Sequence, residues 1–262
     1  MIGRQQRHIP WPILIPAAVA VVFLLLPFVG LVWQAPWGQM AEQLADPIVR
    51  QALALSLITS SIATGLVILL GVPLAWTLAN SESRAGALLR ALVVLPLVLP
   101  PVVGGVALLL AFGRRGVLGA PLNDWFGWSI PFTPAAVVMA ETFVALPFLV
   151  LTVEGALRAR DERYEDIAAA LGASRWRVAR LITLPLIAPA VVAGAVLAWA
   201  RALGEFGATI TFAGNFPGRT QTVPLAVYQA LESDREVAIA LSLVLVVISI
   251  AVLALLRDRW RL

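Results

Sequence analysis

The chain has 262 residues, of which 60% are hydrophobic and 13% charged, with a mean hydropathy of +0.91 and a formal net charge of +4. Soluble domains carry about 25% charged residues, so a surface this apolar faces lipid rather than water. All 19 basic side chains are Arg, there is no Cys, and His8 is the one His; this composition excludes a P-loop, a Schiff-base lysine and any thiolate chemistry, and argues against a His-based triad or zinc centre.

Six apolar stretches are long enough, or nearly so, to cross about 30 Å of hydrocarbon at about 1.5 Å per residue. They lie near 11–33, 52–79, 87–112, 134–156, 183–206 and 237–256. Arg4 and Arg7 precede the first as they would a signal peptide, but the run is too long for an ordinary h-region. No small-x-small cleavage site follows it cleanly, so it reads as a retained anchor. The third stretch holds Pro96, Pro100, Pro101, Gly104 and Gly105. Each Pro removes a backbone hydrogen bond and clashes one turn back, so this span is expected to bend and to face protein rather than lipid. The alternative is a packing kink without a functional role.

Six crossings put both termini on one side. The connecting segments and terminal flanks then place 13 Arg on that side and 5 on the other, with Arg201 inside a span. That asymmetry makes the Arg-rich side cytoplasmic, and it explains the positive charge better than nucleic-acid binding does. The opposite loops, 113–133 and 207–236, are richer in Gly, Pro, Asn and Trp. Trp125, Phe126 and Trp128 suit an interfacial aromatic belt. With no internal repeat and no dividing linker, residues 1–262 read as one all-α membrane domain.

The segment 158–183 between the fourth and fifth spans is the most informative. Asp161, Glu162, Glu165 and Asp166 favour a helix start, and Ala168, Ala169 and Ala170 continue a short helix of low relief. Gly172 stops it in the left-handed conformation, Ala173 follows, and Ser174 caps a second helix over Arg175–Leu181. The spacing predicts an exposed two-helix elbow shaped to enter a partner's groove; the plain alternative is an amphipathic connector without a partner.

Asp166-Ile167-Ala168-x-x-x-Gly172, followed by Leu184-Pro185 and Pro189, resembles the coupling loop of the permease subunits of binding-protein-dependent ABC importers, with Asp-Ile-Ala where the family usually has Glu-Ala-Ala. A narrower resemblance, to the molybdate branch of that family, rests on three segments. They are Leu95 to Gly104, Gly204 to Asn215, and Gly218 to Thr222 with Pro224 to Tyr228. Sulfate permeases share a similar segment after the fifth span, so the resemblance identifies the importer more sharply than its anion.

The resemblance implies a six-span permease in the cytoplasmic membrane, working as a dimer of this chain among membrane lipid. Two cytoplasmic ATPase subunits would bind ATP and Mg, and an extracytoplasmic protein would deliver molybdate. This chain would hold no cofactor and catalyse no reaction. Glu165, Asp166, Ala168, Ala169, Gly172 and Ala173 would couple to the ATPase. Sulfate, tungstate or another small ion remains an alternative cargo; an ion-driven transporter or channel and a membrane enzyme are the rival classes.

An oxyanion path needs neutral hydrogen-bond donors between closely packed small residues. Pro100 and Gly104, with Arg201, Glu205, Thr209, Thr211 and Asn215 around the end of the fifth span, are the candidates for path or gate. Intramembrane charges normally pair within the bundle. Helical rise places Glu141 and Arg201 at similar depth, and Glu205 follows Arg201 at i,i+4. Arg201 is therefore expected to pair with Glu141, Glu205 or both and to fix the fourth span against the fifth; the rival reading has Arg201 attract the anion itself.

Overall fold

The computed structural model describes residues 10–257. Arg4, Arg7, His8, Arg259 and Arg261 lie outside the described residues, so the basic flanks at both ends remain sequence observations. Among the described residues every regular element is helical.

In chain order the helices are α1 (Trp11–Trp33), α2 (Met40–Ala45), α3 (Pro47–Ala79), α4 (Arg84–Val98), α5 (Pro101–Phe112), α6 (Gly119–Phe126) and α7 (Pro134–Ala159). Then follow α8 (Arg163–Ala170), α9 (Arg175–Val178), α10 (Leu184–Leu203), α11 (Gly207–Phe212), α12 (Val223–Ser233) and α13 (Arg235–Arg257). A π turn, Ala179–Thr183, joins α9 to α10 without a break. The helix from Arg175 therefore does not end at Leu181 but runs on into the fifth span as one rod, Arg175–Leu203. Among the described residues five helices are long and apolar enough to cross a membrane, or six if the bent pair α4–α5 counts as one span.

That pair is bent by 118°. Leu99 and Pro100 both adopt extended backbone there, because a residue before proline is pushed out of the helical region and Pro101 demands the same of Pro100. The bend exceeds the kink expected from the prolines, yet the pair still follows the length of α7. Arg90 of α4 meets Glu154, Gly104 of α5 abuts Phe143, and Leu108 packs with Ala136, Val137 and Ala140. Ala136 to Glu154 is about 27 Å of helix at the rise per residue, enough for one traverse.

The core is built on α7. Ala145, Leu149, Val150, Val153 and Leu157 pack against Ala63, Val67, Ala75 and Leu78 of α3 and Ile187, Ala198 and Ala202 of α10. Small residues permit these approaches: a Cβ at Gly71 would lie 2.7 Å from Leu149 Cδ2, and one at Gly194 would lie 3.2 Å from Leu149 Cα. By contrast, α1 buries none of its residues and carries exposed Phe23, Leu24 and Leu26 along its length. It is the peripheral helix of the described fold.

The segment 207–236 is not an open loop. Ala208, Phe212 and Ala213 are fully buried against α5 and α7, while Val223 and Ala226 pack with Val49 and Ala52 of α3. Glycine and proline read as loop markers in the sequence, but here they start helices and let backbones touch. A Cβ at Gly207 would lie 2.8 Å from Pro101 Cβ, and one at Gly105 would lie 2.7 Å from the Ala208 carbonyl oxygen.

Candidate functional site

Three clusters of polar residues stand out: the elbow, a charge clamp at the Glu154 end of α7, and a hydroxyl-rich group around Glu141.

The elbow has the expected local chemistry. Glu165 and Asp166 occupy the first turn of α8, where carboxylates oppose the helix dipole. Gly172 closes the helix at φ +83°, and the Gly172 and Ala173 amides donate to Ala169 and Ala168 carbonyls at 2.9 and 3.0 Å. Ser174 Oγ accepts from the Arg177 amide at 3.4 Å and opens α9. Asp166, Ala169 and Gly172 are exposed, whereas Glu165, Ala168 and Ala173 are half-buried. Tyr164, Ile167 and Leu171 are 58%, 60% and 84% exposed, and their spacing of three and four puts them on one face. An apolar stripe beside alanines, in a charged segment, is a surface without its cover. The three- and four-residue spacing is present in the sequence, where Ala168, Ala169 and Ala170 separate Ile167 from Leu171.

An open cleft of about 450 Å³ lies behind the elbow, lined in part by Trp76, Arg160, Glu165, Arg175 and Thr183. There Glu165 Oε1 accepts from Arg160 Nε at 2.8 Å and from Thr183 Oγ1 at 2.7 Å. Partial burial pushes the Glu165 carboxyl up, but the Thr183 hydroxyl and the Arg160 guanidinium outweigh it and hold it below the usual carboxylate range.

At the end of α7, Glu154 Oε1 accepts from Arg90 Nε and Nη2 at 2.9 and 2.6 Å and from Arg158 Nε at 3.0 Å. The same two arginines donate to the Leu78 carbonyl at 3.3 and 3.1 Å. Leu78 is in the last turn of α3, where carbonyls lack helical partners. One carboxylate and one carbonyl thus tie α3, α4 and α7 together. Nothing local in the sequence announces this clamp, since Arg90 is 64 residues from Glu154.

Around Glu141 the balance differs. Glu141 Oε1 accepts from Thr59 Oγ1 of α3 at 2.9 Å, and its second oxygen has no partner among the described residues. Arg201 pairs with Glu205 at 2.5 Å and not with Glu141. Of the two partners expected for Arg201, Glu205 is found and Glu141 is not, so the pair does not fix the fourth span against the fifth: helical rise fixes depth but not facing. Glu205 lies just past the end of α10, where the chain turns back. Its Oε2 meets Arg201 while its Oε1 accepts from the Ala208 amide at 2.7 Å and caps α11.

The other path candidates are placed as follows. Pro100 sits at the α4–α5 break, and a Cβ at Gly104 would lie 3.0 Å from Phe143. Thr209 is fully buried with its hydroxyl unpartnered among the described residues, and Thr211 donates to the Gly207 carbonyl at 2.6 Å. Asn215 donates to Gln229 Oε1 at 3.2 Å. Ser56, whose Oγ accepts from the Val223 amide at 2.7 Å, and Thr59 belong to this group and were missed. They lie on a long apolar helix with nothing in its sequence to single them out.

Residues 68–260 match the model of the binding-protein-dependent transport system inner membrane component family. The chain belongs to this family. The molybdenum transport system permease protein of Mycobacterium tuberculosis is 48% identical over 235 residues, covering 90% of this chain and 89% of that protein. The protein of the same description from Escherichia coli is 43% identical over 210 residues, 80% of this chain and 92% of that one. In shape, the family member resembles a chain of a bacterial ABC transporter that imports the acidic polysaccharide alginate. That likeness has a TM-score of 0.71 at 18% identity and covers 96% of this chain and 95% of that one. At such identity it speaks to the fold alone.

Proposed function

We propose that this permease carries molybdate across the cytoplasmic membrane, driven by ATP hydrolysis on a separate chain. The uncovered apolar stripe of the elbow supports the ATPase most directly, and the description shared by the two molybdenum relatives supports the cargo. In this reading α8 enters a groove of the ATPase, contacts it through the Tyr164, Ile167 and Leu171 stripe with Asp166, Ala168, Ala169 and Ala173 beside it, and turns at Gly172. Two copies of the chain and two ATPase subunits form the machine. An extracytoplasmic protein delivers the anion, and lipid covers the outer helices. ATP and Mg stay on the ATPase, so this chain holds no cofactor.

Orientation follows from the Arg bias, with the elbow and both termini cytoplasmic and α12 on the opposite side. In this reading the path runs through the Glu141 half of the bundle and draws on Pro100, Gly104, Arg201, Glu205, Thr209, Thr211 and Asn215, with Ser56 and Thr59. Thr209 is buried, and Thr211 is half-buried with its hydroxyl bonded to the Gly207 carbonyl; in this reading both hydroxyls become donors to the anion when the helices part. Glu205 offsets most of the Arg201 charge, which leaves Arg201 chiefly a support for α11 rather than an anion trap.

Uptake by proteoliposomes containing the chain, its ATPase and the delivering protein tests the proposal. Molybdate entry should require ATP and the delivering protein, and excess sulfate should compete poorly. Entry without ATP would make the chain an ion-driven transporter instead, and equal competition by sulfate would overturn the assignment of the anion.

A further inference from the structure

The two acidic residues that open α8 do different things. Asp166 is exposed on the elbow, while Glu165 is turned back toward the bundle. Its Oε1 receives Arg160 Nε and Thr183 Oγ1 together, at 2.8 and 2.7 Å. Arg160 caps the end of α7 and donates to the Leu157 carbonyl at 2.6 Å, and its side chain is only 7% exposed. Thr183 is 1% exposed and is the last residue of the π turn from which α10 continues. One oxygen atom therefore joins α8, the end of α7 and the start of α10. Isolated π turns are rare and often mark functional sites, because the extra residue loosens the helical ladder where it sits.

We propose that Glu165 is a positioning residue, a strut that binds the elbow helix to the π turn so that displacement of α8 reaches α7 and α10 together. Without it, α8 is joined to α7 by a short connection through Asp161 and to α9 by the turn at Gly172, whose backbone is left-handed. A push on the elbow would then be absorbed at those joints. Glu165 does not touch the ATPase in this scheme; Asp166 and the alanines do. The inference rests on the proposed coupling of this chain to an ATPase.

The test uses the complete complex in proteoliposomes, reading co-purification with the ATPase, ATP hydrolysis and molybdate delivered per ATP. Glu165→Ala removes the strut, Thr183→Val removes one hydroxyl at constant shape, and Thr183→Ser restores it. Glu165→Ala and Thr183→Val should keep co-purification and hydrolysis but lower molybdate per ATP at least threefold. The double variant should be no worse than Glu165→Ala, and Thr183→Ser should behave as wild type. An unchanged ratio in both single variants would overturn the strut. So would loss of co-purification in Glu165→Ala alone, which would make Glu165 a docking contact. Failure of the wild-type complex to couple ATP to uptake would overturn the importer reading, and the strut with it.

Discussion

The two carboxylates of α7, thirteen residues apart on one helix, are held in opposite ways. Glu154 receives three hydrogen bonds from two arginines that also cap a helix end, whereas Glu141 receives one from a threonine and keeps an oxygen without a partner among the described residues. The surroundings follow the same division. Near Glu154 long helices meet through fixed charges. Near Glu141 lie the break before α5 and the short helices α11 and α12, touching at glycines. Charge pairs have steep, specific geometry, while glycine contacts and neutral hydroxyls can be remade at small displacement. The Glu154 end is built to move as a unit, and the Glu141 end to rearrange.

The largest expected effect lies beyond the Glu154 end, on the elbow. Ala169→Glu places a charge on the exposed face of α8 and should abolish uptake and weaken co-purification with the ATPase, while detergent thermal unfolding stays within a few degrees of wild type. Normal uptake would mean that this face has no partner.

Next comes Glu154→Gln, which keeps the shape but deprives two arginines of their counter-charge. Breaking a buried pair from one side costs about 3–5 kcal/mol. Arg90 and Arg158 are 34% and 47% exposed, so solvent screening reduces the expected loss to about 1–3 kcal/mol. Thermal unfolding of the purified chain measures it. Arg158 should matter less than Arg90, being the more exposed and bound through Nε alone to Glu154.

The smallest effect is expected at Glu141. Gln at this position still accepts from Thr59 and adds a donor beside a side chain that faces no cation among the described residues, so Glu141→Gln should change stability by less than about 1 kcal/mol. A loss equal to that of Glu154→Gln would remove the contrast between the two ends.

Much of this organisation was legible in the chain. The all-helical fold, the spans and the glycine turn at Gly172 follow from hydrophobic length, capping residues and the Ala-rich run, all of which act locally. Three features were not legible, for one physical reason. The Arg90–Glu154 clamp, the facing of Arg201 away from Glu141, and the packing of 207–236 into the bundle depend on which helix faces meet. In a chain apolar on nearly every face, the pattern that would reveal the meeting faces is absent, because lipid and core ask for the same side chains. The prolines showed where α4 and α5 separate but not by how much; the bend of 118° comes with close contacts of Gly105 with Ala208 and of Gly207 with Pro101.

The division of α7 is tested most directly by distances measured across the transport cycle. The chain is free of Cys, so spin labels can be placed in pairs, with labelled chains diluted into unlabelled ones so that each complex carries one pair. One pair, Glu82→Cys with Glu162→Cys, brackets the Glu154 end at two exposed positions; the other, Trp125→Cys with Phe216→Cys, brackets the Glu141 end. Pulsed dipolar spectroscopy before and after trapping the complex with ATP should show the first distance unchanged within about 2 Å, an outer limit for ordinary side-chain and backbone fluctuation, and the second shifted well beyond that. A moving first pair with a fixed second pair would contradict the account.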